Sequence, residues 1–169
     1  MAKVSNVCVY GLEESIKAAK YPKAVDVDKC TSELTKGIQS CSSCRTGEGH
    51  DNWLKGVVVQ FDLTLSNKAW VEAERYHFLD FVSSQSTMHK AAQFNIVSMC
   101  NEYVDGGLAN IVEGLRLQYL ADPTPENYLK LLYNIPSGFE LTARMTTNYQ
   151  QLKTIYQQRR HHRLPDWQV

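Results

Sequence analysis

Thr146-Thr147-Asn148-Tyr149-Gln150-Gln151-Leu152-Lys153-Thr154-Ile155-Tyr156-Gln157-Gln158-Arg159 is the stretch in which the chain changes period. Just before it, Phe139, Leu141, Ala143 and Met145 alternate with Glu140, Thr142 and Arg144. That is the two-residue repeat of a strand with one face in the core. Ile135-Pro136-Ser137-Gly138 stops the helix that precedes the strand. Past the strand the spacing becomes helical and predicts a final helix from about Thr147 to Arg163. On such a helix Asn148, Leu152, Ile155 and Arg159 share one narrow arc. Leu152 and Ile155 make that arc the buried one, and Asn148 and Arg159 mark its ends, roughly 16 Å apart by helix rise. A guanidinium on a buried face needs a partner. Two are open: an acidic side chain, in an ion pair at a helix end where a cation suits the macrodipole, or a bound ligand. Periodicity alone favours the ion pair.

Working outward, Val57 to Leu65 is the other clear strand, with Val59, Phe61, Leu63 and Leu65 alternating with Gln60, Asp62 and Thr64. Ser66 or Asn67 can cap a helix carrying Trp70, Ala73, His77, Phe78 and Phe81 and ending near Val82. The polar run Ser83-Ser84-Gln85-Ser86-Thr87 predicts a turn. Lys90 to Tyr103 resumes a helical pattern, and Asp105-Gly106-Gly107 turns into a helix marked by Leu108, Ile111, Val112 and Leu115. Thr124-Pro125 starts the next, with Leu129, Leu132 and Tyr133 on its inner face. At the other end, Val4 to Tyr10 is a short strand, and Leu12 to Lys20 a helix ended by Pro22. Residues 21–52 lack a period and read as a loop or insertion, with a helix over Asp28 to Ile38. The expected class is α+β or mixed α/β, a small sheet packed with helices in one domain spanning residues 1–169.

Composition narrows the function classes. The 169 residues hold 18 Lys+Arg and 18 Asp+Glu, so net charge is zero and capture of nucleic acid by bulk charge is not expected. Arg159-Arg160-His161-His162-Arg163 is a local exception, sized for one phosphorylated ligand. No apolar run spans a membrane and Met1 to Ser5 begin no signal sequence. Five unevenly spaced cysteines read as reduced thiols, which points to the cytoplasm. Cys41-Ser42-Ser43-Cys44 with Cys30 and His50 matches no compact metal module, and no metal is expected. Gly47-Glu48-Gly49-His50-Asp51-Asn52 is no phosphate loop, since no Lys-Ser/Thr follows.

The Thr146–Arg159 stretch resembles the C-terminal motif of flavin-dependent thymidylate synthases. In that motif an Asn is followed by Arg two residues on, Leu two further, and Arg eleven after the Asn. Ile135-Pro136 and a strand precede it as in the family, and Asp166-Trp167-Gln168 stands where the family has Gln-Trp-Glu. The family's upstream signature, built on Arg-His-Arg and a Ser/Asn-Glu/Ser turn, corresponds to Tyr76 through His89. His77 and Ser86 fall on its His and second Ser. Tyr76, Phe78 and Met88 replace arginines, Ser83-Ser84 replace Asn-Glu, and Gln150 replaces the Arg after the Asn. Apolar side chains cannot make charge-assisted bonds to phosphate, so the chain looks like a remote or degenerate member.

The resemblance implies methylation of a deoxyuridine nucleotide, dUMP to dTMP, with FAD as cofactor, methylenetetrahydrofolate as carbon donor and NADPH as reductant. It implies that Arg159 polarises the pyrimidine as the catalytic and substrate-binding residue, that Ser84, Gln85 and Ser86 meet the nucleotide, and that His77, Asn148 and Gln150 border the flavin. It implies a homotetramer with sites between subunits. The alternative is a degenerate, non-catalytic nucleotide-binding or viral accessory protein on the same fold.

Overall fold

Val59, Phe61, Leu63 and Leu65 are at most 8% exposed, and the residues between them are half-buried. The period-two pattern thus makes Val58–Ser66 the centre of a sheet. In this computed structural model, which describes residues 2–45 and 47–168, the four strands are β1 (Lys3–Tyr10), β2 (Val58–Ser66), β3 (Asp80–Ser84) and β4 (Glu140–Asn148). Their order is β1-β2-β4-β3, and every neighbouring pair is antiparallel. Phe61 faces Met145, Leu63 faces Ala143, and Asp62 faces Arg144 on the opposite side. One face is therefore apolar and the other polar.

The helices among the described residues are α1 (Leu12–Ala18), α2 (Lys36–Ser42), α3 (Asn67–Ala73), α4 (Thr87–Lys90), α5 (Ile96–Met99), α6 (Gly106–Ala121), α7 (Pro125–Asn134) and α8 (Tyr149–Arg159). Short 3-10 turns lie between them. One core packs α3 and α8 on the apolar sheet face through Phe61, Leu65, Ala69, Ala73, Tyr76 and Met145. A second joins the helical region through Ala91, Ile96, Val112, Leu131 and Phe139. No helix is long and apolar enough to cross a membrane among the described residues. The architecture is the mixed α/β arrangement, a small sheet packed with helices, that the pattern predicts.

Local signals act where expected at several joints. Ser66 Oγ accepts from Ala69 N at 3.2 Å and starts α3, and Thr124 Oγ1 accepts from Asn127 N and starts α7. Gly11 has φ 70°, and a Cβ there would lie 2.7 Å from the Gly56 carbonyl oxygen, so the β1–α1 corner needs glycine.

Several element boundaries and one helix face differ from the sequence pattern. The helix after Ser66 ends at Ala73 rather than near Val82, because Asp80–Ser84 pairs with the free edge of β4 and satisfies its ladder there. Ser83 and Ser84 therefore belong to a strand, not a turn. Lys90 to Tyr103 breaks into short pieces, with Asn95 capping α5 through Ser98 N. In the 21–52 region the helix is α2, capped by Thr35, and not Asp28 to Ile38. On α7 Leu131 is the fully buried residue and Leu132 packs on the same core as expected, while Leu129 and Tyr133 face outward.

Candidate functional site

The C-terminal helix is shorter than its pattern, and its two marked residues do different jobs. Asn148 ends β4, and its side-chain oxygen accepts from Gln151 N at 2.9 Å. It is the N-cap of α8 rather than a residue on its face, because a capping residue keeps an extended backbone. Tyr149 N donates to Val57 O, which ties the helix start to the residue just before β2. At the far end α8 stops at Arg159. Residues 160–168 fold back over the sheet, where Asp166 Oδ1 accepts from Ser66 N at 2.9 Å.

Arg159 lies under that returning segment. Its Nη1 donates to Glu72 Oε2 at 2.9 Å and its Nε to the Tyr76 hydroxyl at 2.7 Å. The guanidinium sits 4.8 Å from the Trp167 ring centroid and 5.5 Å from that of Tyr76. Glu72 Oε2 also accepts from Trp167 Nε1 at 3.2 Å and lies 3.4 Å from His162 Nε2. The two side chains of the Arg159–Glu72 pair are 11% and 15% exposed. Of the two partners open to Arg159, the structure supplies the acid. Tyr76 stands where the resembling motif has an arginine. An arginine there would set two cations together, so the Tyr76 hydroxyl and the inward Arg159 suit each other.

The remaining candidates separate into groups. His77 lies in the exposed turn between α3 and β3, not on a buried helix face. Ser84 is exposed on the edge strand, and Gln85 is stitched to β4 by Gln85 N to Thr142 O at 3.0 Å and Thr142 N to Gln85 Oε1 at 2.9 Å. Ser86 precedes α4 without a side-chain cap. Gln150 Nε2 donates to Asp51 Oδ1 at 3.0 Å. Asn148 lies beside Phe78, His77's neighbour, in a polar hollow of about 160 Å³ lined also by Lys55, Asp80, Thr146 and Thr147. This hollow brings the two motif regions together. Thr147 Oγ1, donating to Phe78 O at 2.6 Å, ties them. Arg159, at the other end of α8, borders a different space. It is a cavity of about 490 Å³ between the apolar face of β2, α8 and residues 160–168. Gly47 to Asn52 lines neither.

Two features escaped sequence reasoning. Asp51 is 1% exposed, and Lys153 Nζ donates to its Oδ2 at 2.7 Å and to the carbonyls of Ser42 and Cys44. Burial pushes the Asp51 carboxyl up, but the Lys153 and Gln150 bonds outweigh it and hold it below the ordinary value. Lys55 brings a cation to the Asn148 hollow. Nothing in the spacing marks Asp51 or Lys55, since both partners arrive from about a hundred residues away in sequence.

The fold is similar to that of thymidylate synthase X (ThyX) from Helicobacter pylori, crystallised with FAD and dUMP. The TM-score is 0.76 at 15% identity, over 98% of this chain and 88% of that one. A second structure of that enzyme, also complexed with FAD and dUMP, gives 0.74 over the same spans. A UMP/dUMP methylase, PolB, from Streptomyces cacaoi bound with 5-Br dUMP gives 0.59 at 15% identity, over 90% and 75% of the two chains. By sequence, no protein-family model and no curated protein matches. The chain thus has the fold of flavin-dependent thymidylate synthases.

Proposed function

We propose that this protein binds FAD and a deoxyuridine nucleotide and methylates the pyrimidine, as a divergent enzyme of the flavin-dependent thymidylate synthase type. The observation that carries this reading is the coincidence of fold and motif. Asn148 caps the helix that leaves the central strand, Arg159 ends that helix, and Trp167 packs on Arg159, all within a fold matched over 98% of the chain. In this reading Asn148 and Gln150 border the flavin with His77 near them, and Arg159 polarises the uracil. Ser84, Gln85 and Ser86 meet the nucleotide. Methylenetetrahydrofolate supplies the carbon and NADPH reduces the flavin. The protein contributes orientation and charge stabilisation. The site is completed between copies of the chain in a homotetramer, which accommodates the separation of Arg159 and Asn148 into two spaces within one chain. The compartment is cytoplasmic.

The test is direct. Purified protein should carry flavin absorbance, and added FAD should raise its Tm. A further shift should come with dUMP and be lost in Arg159→Ala. A colourless protein whose Tm ignores FAD removes the flavin enzyme.

One observation favours a second reading. Arg159 is engaged by Glu72 and Tyr76, and the arginines of the resembling motif are Tyr76, Phe78, Met88 and Gln150 here. A non-catalytic nucleotide-binding or viral accessory protein keeps this fold without the chemistry. A dUMP shift without FAD binding or turnover selects it.

A further inference from the structure

The 16-residue helix α6 carries its charges inward and its apolar residues outward. Its charged residues are Glu113 and Arg116, which pair with each other at 15% and 16% side-chain exposure. Glu113 also accepts from Ile96 N, and Arg116 donates to Ala92 O, so both are tied to the chain's own core. Leu108, Ile111, Leu117 and Leu120 are instead 47–66% exposed. Within the chain, α5, α7 and the turn at Ala91–Gln93 pack on α6, whose buried residues are Ala109 and Val112. At about 100° per residue, Gly114 points directly away from that buried side. A Cβ there would meet nothing within 4 Å, so the chain's own packing does not call for glycine. Glycine inside a helix is destabilising, and its use is to let a second backbone come close. Gly107 and Ala121, also exposed, continue the line one heptad to either side.

The symmetry of the strip selects its partner. Turned antiparallel about Gly114, the strip matches itself. Gly107 meets Ala121 of the second copy, and Ile111 comes level with Leu117 of the second copy. Opposed helix dipoles favour that direction. The exposed strip from Gly107 to Ala121 bears no formal charge, so two copies meet without like-charge repulsion. An isologous contact requires a patch that matches itself in this way, and an unrelated partner gives no reason for it.

We propose that α6 is a self-association surface, on which two copies of the chain pair antiparallel with Gly114 against Gly114 on the two-fold axis. None of its residues belongs to the motif segments, so the pairing stands whether or not the chain is a flavin enzyme.

Sedimentation of the full-length protein at several concentrations reads the pairing. Gly114→Arg places a charge in the strip, and the open space around its Cβ should leave the circular dichroism and Tm intact. Self-association should weaken at least about tenfold. Ile111→Lys, at a position 66% exposed, should do the same and serves if the first variant misfolds. Cross-linking with oxidised glutathione reads the register. Gly114→Cys should form an interchain disulfide above the wild-type background. Ala121→Cys should not, because two such residues would lie about 21 Å apart along the pair. A wild-type protein that stays monomeric overturns the proposal, as do well-folded Gly114→Arg and Ile111→Lys variants that associate like wild type. Cross-linking of Ala121→Cys as readily as Gly114→Cys overturns the antiparallel pairing. A colourless protein whose assembly is still lost in Gly114→Arg upholds the surface and removes only the enzyme.

Discussion

Arg159 and Lys153 both extend from α8 to acids brought in by the fold, and their surroundings give them different sensitivities. Lys153 satisfies Asp51 and two carbonyls in a nearly dry setting, with the two side chains 16% and 2% exposed. Removing one partner of such a pair leaves a buried charge, so Lys153→Met should cost about 3–5 kcal/mol in urea unfolding. The pH dependence follows from the depressed Asp51 carboxyl. Its contribution is present above the unfolded carboxylate value of about 3.9 and is lost as pH falls below that through the folded value. In Lys153→Met the Gln150 bond remains but the cation that offset burial is gone, so the carboxyl holds its proton more readily and the penalty should be smaller at about pH 4 than at about pH 7. A penalty that does not change with pH would refute this account. For Arg159, Glu72→Gln tests whether the pair restrains the nucleotide arginine or only builds the core. Under the proposed enzyme, freeing the guanidinium should tighten dUMP binding. Under a structural role the variant loses Tm and dUMP affinity stays flat.

At the scale of elements, the junction of β4 and α8 carries the proposed site. Asn148→Ala removes the cap on Gln151 N and should cost about 1 kcal/mol, whereas Asn148→Asp keeps an accepting oxygen and most of the stability. FAD affinity separates the roles, because Asp repairs the cap but not an amide contact to flavin. Full FAD binding in Asn148→Asp would leave Asn148 a cap and nothing more. The β2 and β4 strands and the α3 and α7 caps were legible because period two and Ser or Thr before a helix are local signals. The α3 boundary was not. Phe81 fits a helical spacing from Trp70, yet it reaches Trp70, at 5.0 Å between ring centroids, from a strand. Apolar spacing cannot distinguish a continued helix from a chain that turns and brings the same residue back.

At the scale of the whole molecule, residues 160–168 hold the roof of the large cavity through Asp166 on Ser66 and Trp167 on Glu72 and Arg159. Deleting residues 164–169 should lower Tm and increase binding of a fluorescent apolar dye, since the floor of Phe61, Leu63 and Leu65 opens to water. Unchanged dye binding would show that the segment does not cover the floor in solution. Exposed Leu108, Ile111, Leu117 and Leu120 on α6 and Tyr133 on α7 give the chain apolar surface beyond its own cores. Sedimentation at several concentrations should therefore show an assembly, with the proposed tetramer as the expected species.

The sequence by itself determined the mixed α/β class, the two central strands with their buried faces, the principal helix starts and the motif that resembles the thymidylate synthases, because each rests on residues within a few positions of one another. Tertiary structure alone decided that Arg159 meets Glu72 and Tyr76, that Lys153 meets Asp51, and that Lys55 enters the hollow at Asn148. Those contacts join segments scores of residues apart. Partner choice there depends on which buried charge can be neutralised once the sheet and α8 have closed, and a one-dimensional pattern holds no record of that.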